Sequence, residues 1–189
     1  MRSQLRAGRW ALLAALLVSA AAAQDRVPLC AACHGADGNS ETPGIPSIAG
    51  QPKLFLETQL VLFREEVRVS PQMQPAVKGL SDREITRLAE HYAALSARPA
   101  RNEPADPAQV KRGMALAQEL HCGSCHLPDF RGRQQIPRLA GQREDYLTES
   151  MLAYRDNRRS GGDTIMAAAL YGLSGADIRA LAHYLSRLR

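Results

Sequence analysis

The chain has four cysteines, Cys30, Cys33, Cys122 and Cys125, which form two Cys-x-x-Cys pairs. Each pair is followed at once by a histidine, His34 and His126. This is the attachment pattern of c-type haem. Two thioether bonds hold one porphyrin, and the next residue sits under the iron, where its imidazole becomes an axial ligand. Two such pairs also suit a zinc ion, one pair suits a redox dithiol, and an exported chain can close them as disulfides. None of these needs a histidine after both pairs. The spacing therefore predicts two covalently bound c-type haems, on Cys30 with Cys33 and on Cys122 with Cys125.

A haem with one histidine needs a second axial ligand or keeps an open site, and that choice separates electron transfer from ligand chemistry. Met73 lies 39 residues after His34, and Met166 lies 40 residues after His126. Each precedes a matched leucine, Leu80 or Leu173, by seven residues, in a segment expected to be a loop. Met73 and Met166 are thus the expected thioether ligands. Met114 and Met151 have no methionine counterpart in the first half and fall in predicted helices, where a methionine packs. His91 and His183, in the terminal helices, are the rival ligands, and His121 reads as a surface residue. Histidine with methionine raises the potential relative to two histidines and fills both axial positions, which suits a carrier and not an enzyme.

Two further matched pairs stand near these ligands. Pro46 and Pro137 follow their histidines by 12 and 11 residues. A proline carbonyl can accept a hydrogen bond from the axial imidazole, or the residue can simply shape a turn; both readings stand. Arg64 and Arg155 can each pair with a haem propionate, or lie on a solvated helix face.

The positioning elements repeat with the ligands, at a period of 91 to 93 residues. Residues 45–51, Ile-Pro-Ser-Ile-Ala-Gly-Gln, match residues 136–142, Ile-Pro-Arg-Leu-Ala-Gly-Gln, and Gly-Leu-Ser recurs at 79–81 and 172–174. Such self-similarity makes each half one structural unit. Ser81 with Glu84 forms a capping-box pattern before a terminal helix carrying Ile85, Leu88 and Tyr92. Ser174 caps the matching helix of Ile178, Leu181 and Leu185, with Asp177 in its first turn. Middle helices are expected near 54–64 and 145–155, and no run alternates as a strand. Residues 96–105, polar with two prolines, read as a short linker that packs the units face to face.

The first 23 residues read as a secretion signal: three arginines, an apolar run, then Ala21 to Ala23 for cleavage. An uncleaved anchor is the alternative. Removing this leader lowers the formal charge from +5 to +2, so the basicity does not mark a nucleic-acid binder. Aromatics are only 5% of the chain, and a large flat cofactor would help to fill so poor a core.

On its paired Cys-x-x-Cys-His motifs, repeated Ile-Pro-x-[Ile/Leu]-Ala-Gly-Gln segments and matched methionines, the chain resembles the cytochrome c4 family over nearly all its mature length. The resemblance implies an all-α fold of two tandem class I cytochrome c domains, pseudo-twofold related, over residues 24–95 and 106–189. It implies axial pairs His34 with Met73 and His126 with Met166. It implies a periplasmic electron carrier for redox protein partners such as a terminal oxidase, with possible peripheral docking on a membrane complex. The rival function is the di-haem electron-accepting subunit of a dehydrogenase, such as a flavocytochrome that oxidises sulfide. One departure is expected. Asp106 and Pro107 open a helix to about Leu120 that crosses the terminal helix at Gly113, whereas residues 24–29 are too few for its counterpart. The first haem should then be less shielded and its unit less stable; a different processing site, or an uncleaved leader serving as the helix, is the alternative.

Overall fold

The computed structural model describes residues 26–100, 104–161 and 164–189. The expected leader, residues 1–23, lies outside the described residues, as do positions 101–103 of the linker. Among the described residues the structure is helices and loops without a strand; the only pairing of β type is an isolated bridge between Arg133 and Ile136.

The first half holds α1 (Val27–His34), α2 (Lys53–Arg64), α3 (Met73–Val77) and α4 (Asp82–Ala94). The second holds α5 (Pro107–Glu119), α6 (Cys122–His126), α7 (Glu144–Arg155), α8 (Thr164–Ala169) and α9 (Gly175–Leu185). The middle helices α2 and α7 each begin one residue before the sequence expectation. The methionine segments are not plain loops: Met73 opens α3 and Met166 lies in α8. Short helices there spare the backbone amides from needing a sheet or water partner.

Each half closes its own core. In the first, α2 packs on α3 and α4, burying Leu56, Phe63, Val77, Ile85 and Leu88. In the second, α9 packs on α5 and α7 around Leu116, Leu147, Met151, Ile178 and Leu181. The terminal helices start where the sequence says. Ser81 Oγ accepts from the Glu84 amide and Glu84 Oε2 accepts from the Ser81 amide, and Ser174 with Asp177 repeats the arrangement. Arg112 donates to Asp177 Oδ1 at 2.7 Å, so this cap also ties α5 to α9. Asp106 caps α5 by accepting from the amides of Ala108 and Gln109.

The helix α5 sits so close to α9 that a Cβ on Gly113 would lie 2.1 Å from the Ala180 carbonyl oxygen. The first half has no counterpart among the described residues. There Val27 to Leu29 form an extra turn at the front of α1, ahead of Cys30. The terminal helices are written for this difference. Where α9 presents Ala180, His183 and Tyr184 toward the second core, α4 has Arg87, Glu90 and His91, all exposed. Charged side chains there stay solvated, whereas Ala180, 3% exposed, leaves room for a crossing helix.

Two outcomes follow for stability. Gly113→Ala forces α5 away from α9 and costs roughly 3 kcal/mol in denaturant unfolding of the second half, since the clash is with backbone. Hydrogen exchange should be faster in α4 than in α9, because only α9 is covered on two sides; equal protection would contradict this reading.

Candidate cofactor-attachment sites

Each Cys-x-x-Cys-His motif forms a helix that ends on its histidine, α1 at His34 and α6 at His126. In both, the second cysteine is exposed and the first is half-buried, and no disulfide joins them. Burial pushes the Cys122 thiol up. No group of three histidine, cysteine or acidic side chains converges as a metal cluster among the described residues.

The histidines are alike in detail. His34 is 8% exposed and its Nδ1 lies 2.8 Å from the Pro46 carbonyl oxygen; His126 is 5% exposed and its Nδ1 lies 2.9 Å from that of Pro137. A carbonyl only accepts, so Nδ1 carries the proton and donates. Burial lowers both histidine pKa values, and the proline bond offsets this only in part. Each ring is therefore neutral, with its lone pair on Nε2. No buried side-chain nitrogen or oxygen among the described residues lacks a partner, so Nε2 opens onto accessible space. A neutral imidazole with its far nitrogen pinned and its near nitrogen open is a preoriented metal ligand. Of the two readings of Pro46 and Pro137, the structure selects the acceptor.

The two matched methionines are both half-buried, each packed against the core of its own half. The other internal methionines behave differently: Met151 is buried in the second core, and Met114 is exposed on α5 rather than packed. His183 is not the partly exposed helix residue the sequence suggests. It is buried, its Nδ1 donates to Glu144 and its Nε2 accepts from the Asp106 amide, so neither nitrogen is available to a metal. His91 and His121 are exposed.

Arg64 and Arg155 are each bonded to groups of their own half. Arg64 donates to the Leu80 carbonyl at 2.9 Å and to Glu65 and Asp82; Arg155 donates to the Leu173 carbonyl at 3.1 Å and to Asp156. Their guanidiniums tie the end of each methionine segment back to the middle helix. A different matched pair fits anions better. Arg68 lies over the Phe63 ring and Arg159 over the Tyr154 ring. Burial pushes the Arg68 guanidinium below its usual value, and the nearby Arg159 adds to this. Among the described residues neither has a carboxylate partner. Burial works to raise the phenol of Tyr146 between them, yet the two cations pull it down to about 7. Two like charges without an acid in a half-buried setting favour a bound anion. Sequence reading missed them, although their 91-residue spacing after matched aromatics was visible.

The two halves are clasped by matched glutamines. Gln142 Oε1 accepts from the Ser47 amide and its Nε2 donates to the Ser47 carbonyl, both at 2.8 Å. Reciprocally, Gln51 Oε1 accepts from the Arg138 amide at 2.9 Å and its Nε2 donates to the Arg138 carbonyl at 3.0 Å. The same surface is used from both sides, as a twofold requires.

The cytochrome c family profile matches residues 110–189. Cytochrome c4 of Pseudomonas aeruginosa is 33% identical over 177 residues, which cover 89% of this chain and 88% of that one. A thiosulfate dehydrogenase electron acceptor of Thiomonas intermedia is 32% identical over 186 residues, covering 93% and 86%. The crystal structure of reduced recombinant cytochrome c4 from Pseudomonas stutzeri superposes with a TM-score of 0.79 at 30% identity, covering 87% of this chain and 95% of that one. With its helical halves, paired Cys-x-x-Cys-His helices and pinned imidazoles, the chain belongs to the cytochrome c4 family of electron-transferring cytochromes, two class I cytochrome c domains carrying two covalently bound c-type haems.

Proposed function

We propose that the protein is a periplasmic shuttle that passes single electrons between redox protein partners and performs no chemistry on a substrate of its own. The observation that carries this is the matched ligand set: two neutral imidazoles with Nε2 open, each in a half that also holds a matched methionine. His34 with Met73 and His126 with Met166 are the axial pairs, and Cys30, Cys33, Cys122 and Cys125 carry the thioethers. The haem units span residues 24–95 and 106–189, joined by 96–105 and exported by the leader at 1–23.

The bound haem supplies one-electron redox chemistry at iron. The chain sets its terms. The proline carbonyls fix the orientation of each imidazole and keep Nδ1 protonated, so no proton need move when an electron does. Met73 and Met166 would hold the iron from the other side and leave no open position for a substrate. Arg68 and Arg159 would offset the negative charge of bound propionates. Arg64 and Arg155 hold the methionine segments at constant distance, which keeps reorganisation small.

A second reading has one finding in its favour. Its relative in Thiomonas is named a thiosulfate dehydrogenase electron acceptor, so this chain can be the electron-accepting partner of a dehydrogenase. Isolation of the exported protein separates the two readings: a shuttle comes free, and an accepting subunit brings its dehydrogenase with it.

The testing experiment is an oxidised and reduced spectrum with a pyridine haemochrome assay. Two covalent haems per chain and the weak far-red methionine-to-ferric-iron band are expected. Met166→Leu should remove about half of that band and lower the potential of the second haem; an unchanged band would remove Met166 from the ligand set. Arg155→Leu should keep the band at room temperature but lose it on heating sooner than the unaltered protein, because Leu173 is no longer tied to α7. Equal thermal loss would show that Arg155 does not hold the methionine segment.

A further inference from the structure

The glutamine clasp and the imidazole pin meet on one peptide group. The Pro46 carbonyl accepts from His34 Nδ1–H, and the amide that follows it in the chain, that of Ser47, donates to Gln142 Oε1. In the other half, the Pro137 carbonyl accepts from His126 Nδ1–H, and the Arg138 amide donates to Gln51 Oε1. Each axial histidine is thus connected, through a single peptide unit, to a glutamine of the opposite half. Gln51 and Gln142 are each 5% exposed, so water does not compete freely for these bonds. Their amide orientation is fixed by the backbone: Ser47 and Arg138 each offer an N–H to the oxygen and a carbonyl to the nitrogen.

We propose that Gln51 and Gln142 are positioning residues that tune the haem of the other half, so that docking of the two domains sets both potentials. This rests on the ligand assignment above. Bonds in a chain polarise one another, more so where the surroundings are dry. When Gln142 accepts from the Ser47 amide, that peptide gains dipole and the Pro46 oxygen becomes a better acceptor. It then draws more strongly on His34 Nδ1–H. The imidazole gains anionic character at Nε2 and favours ferric over ferrous iron. One electron enters the iron on reduction and the proton stays on Nδ1, so only the strength of the bond changes. Removing the glutamine oxygen weakens the relay and favours the reduced form of the opposite haem.

The clasp explains why the reciprocal pair is glutamine on both sides. An ionised carboxylate would face the Ser47 or Arg138 carbonyl oxygen with a second oxygen and repel it. A lysine or arginine has no acceptor for the amide. Only a neutral group with one donor and one acceptor satisfies the two backbone atoms at once.

The test is a haem-resolved redox titration by NMR on the full di-haem protein, comparing Gln142→Met and Gln51→Met. Methionine keeps the length of the side chain and removes both hydrogen bonds across the seam; in Gln142→Met it also removes the one that Oε1 accepts from the Arg143 amide of its own half. Gln142→Met should shift the equilibrium of the first haem roughly threefold toward the reduced form, about 28 mV at 59 mV per tenfold for one electron. The second haem should hold its potential. Gln51→Met should do the reverse. In the reduced state of Gln142→Met, the His34 Nδ1–H resonance should move upfield and that of His126 should stay. A shift confined to the haem of the mutated half, an equal shift of both haems, or no shift would overturn the proposal. Gln142→Glu guards against a merely loosened interface: at about pH 5, where burial keeps this carboxyl protonated, it restores one donor and one acceptor, and the first potential should return toward its original value. Failure of that rescue would also overturn it. The far-red band in the unaltered protein reports the ligand assignment separately, so the two readings fail by different measurements.

Discussion

The hydrogen bond from a buried imidazole to a proline carbonyl is the constraint on which the rest of the structure depends. It appears once in each half, at 2.8 and 2.9 Å. Burial alone keeps the ring neutral, but it does not say which nitrogen holds the proton. The carbonyl decides that, because it has nothing to donate. From this follow the presentation of Nε2, the position of the Cys-x-x-Cys helix that ends on the histidine, and the path of the loop that must return the proline 12 or 11 residues later. The loop then runs straight into the domain seam, which is why the seam can reach the ligand through one peptide.

The halves are not equivalent, and the difference lies in their terminal helices. In the second half α5 lies across α9, admitted by Gly113 and by the small Ala180, and is tied to it by Asp106 with the buried His183 and by Arg112 with Asp177. In the first half the corresponding face of α4 is exposed and carries Arg87, Glu90 and His91. A charged face cannot be buried without partners, and among the described residues no helix crosses this one. Its compensation is modest: one added turn on α1, with the Val27 carbonyl accepting from Tyr92 Oη.

The seam is polar yet well satisfied. The glutamines make four bonds to the backbone of the opposite half, and Gly44 donates to Asp145, Val69 to Ser160 and Ala100 to the Gly141 carbonyl. Backbone partners cannot change rotamer, so such a seam fixes register more sharply than an apolar one. Arg68, from the first half, reaches Tyr146 in the second. Arg68 and the nearby Arg159 therefore sit where the two domains meet.

Much of this was legible in the sequence because it is local or repeated. The attachment motifs, the capping box at Ser81 and the caps at Ser174 and Asp106 depend on residues a few positions apart, and Gly113 marked a close crossing because it has no side chain. The 91-to-93-residue repeat then made Met73 equivalent to Met166, and Pro46 to Pro137. Repetition shows that two residues share a role without showing what the role is. Arg64 and Arg155 were matched correctly, yet only the folded chain shows that they bond the Leu80 and Leu173 carbonyls. His183 looked like a helix-surface residue until the packing of α5 buried it. Gln51 and Gln142 ended a visible repeat, but each finds its partner 95 or 87 residues away across the seam. Spacing along the chain determines which side chains share a helix turn or a motif; the direction a long side chain takes, and the backbone it meets in the other half, are set only when the two cores pack.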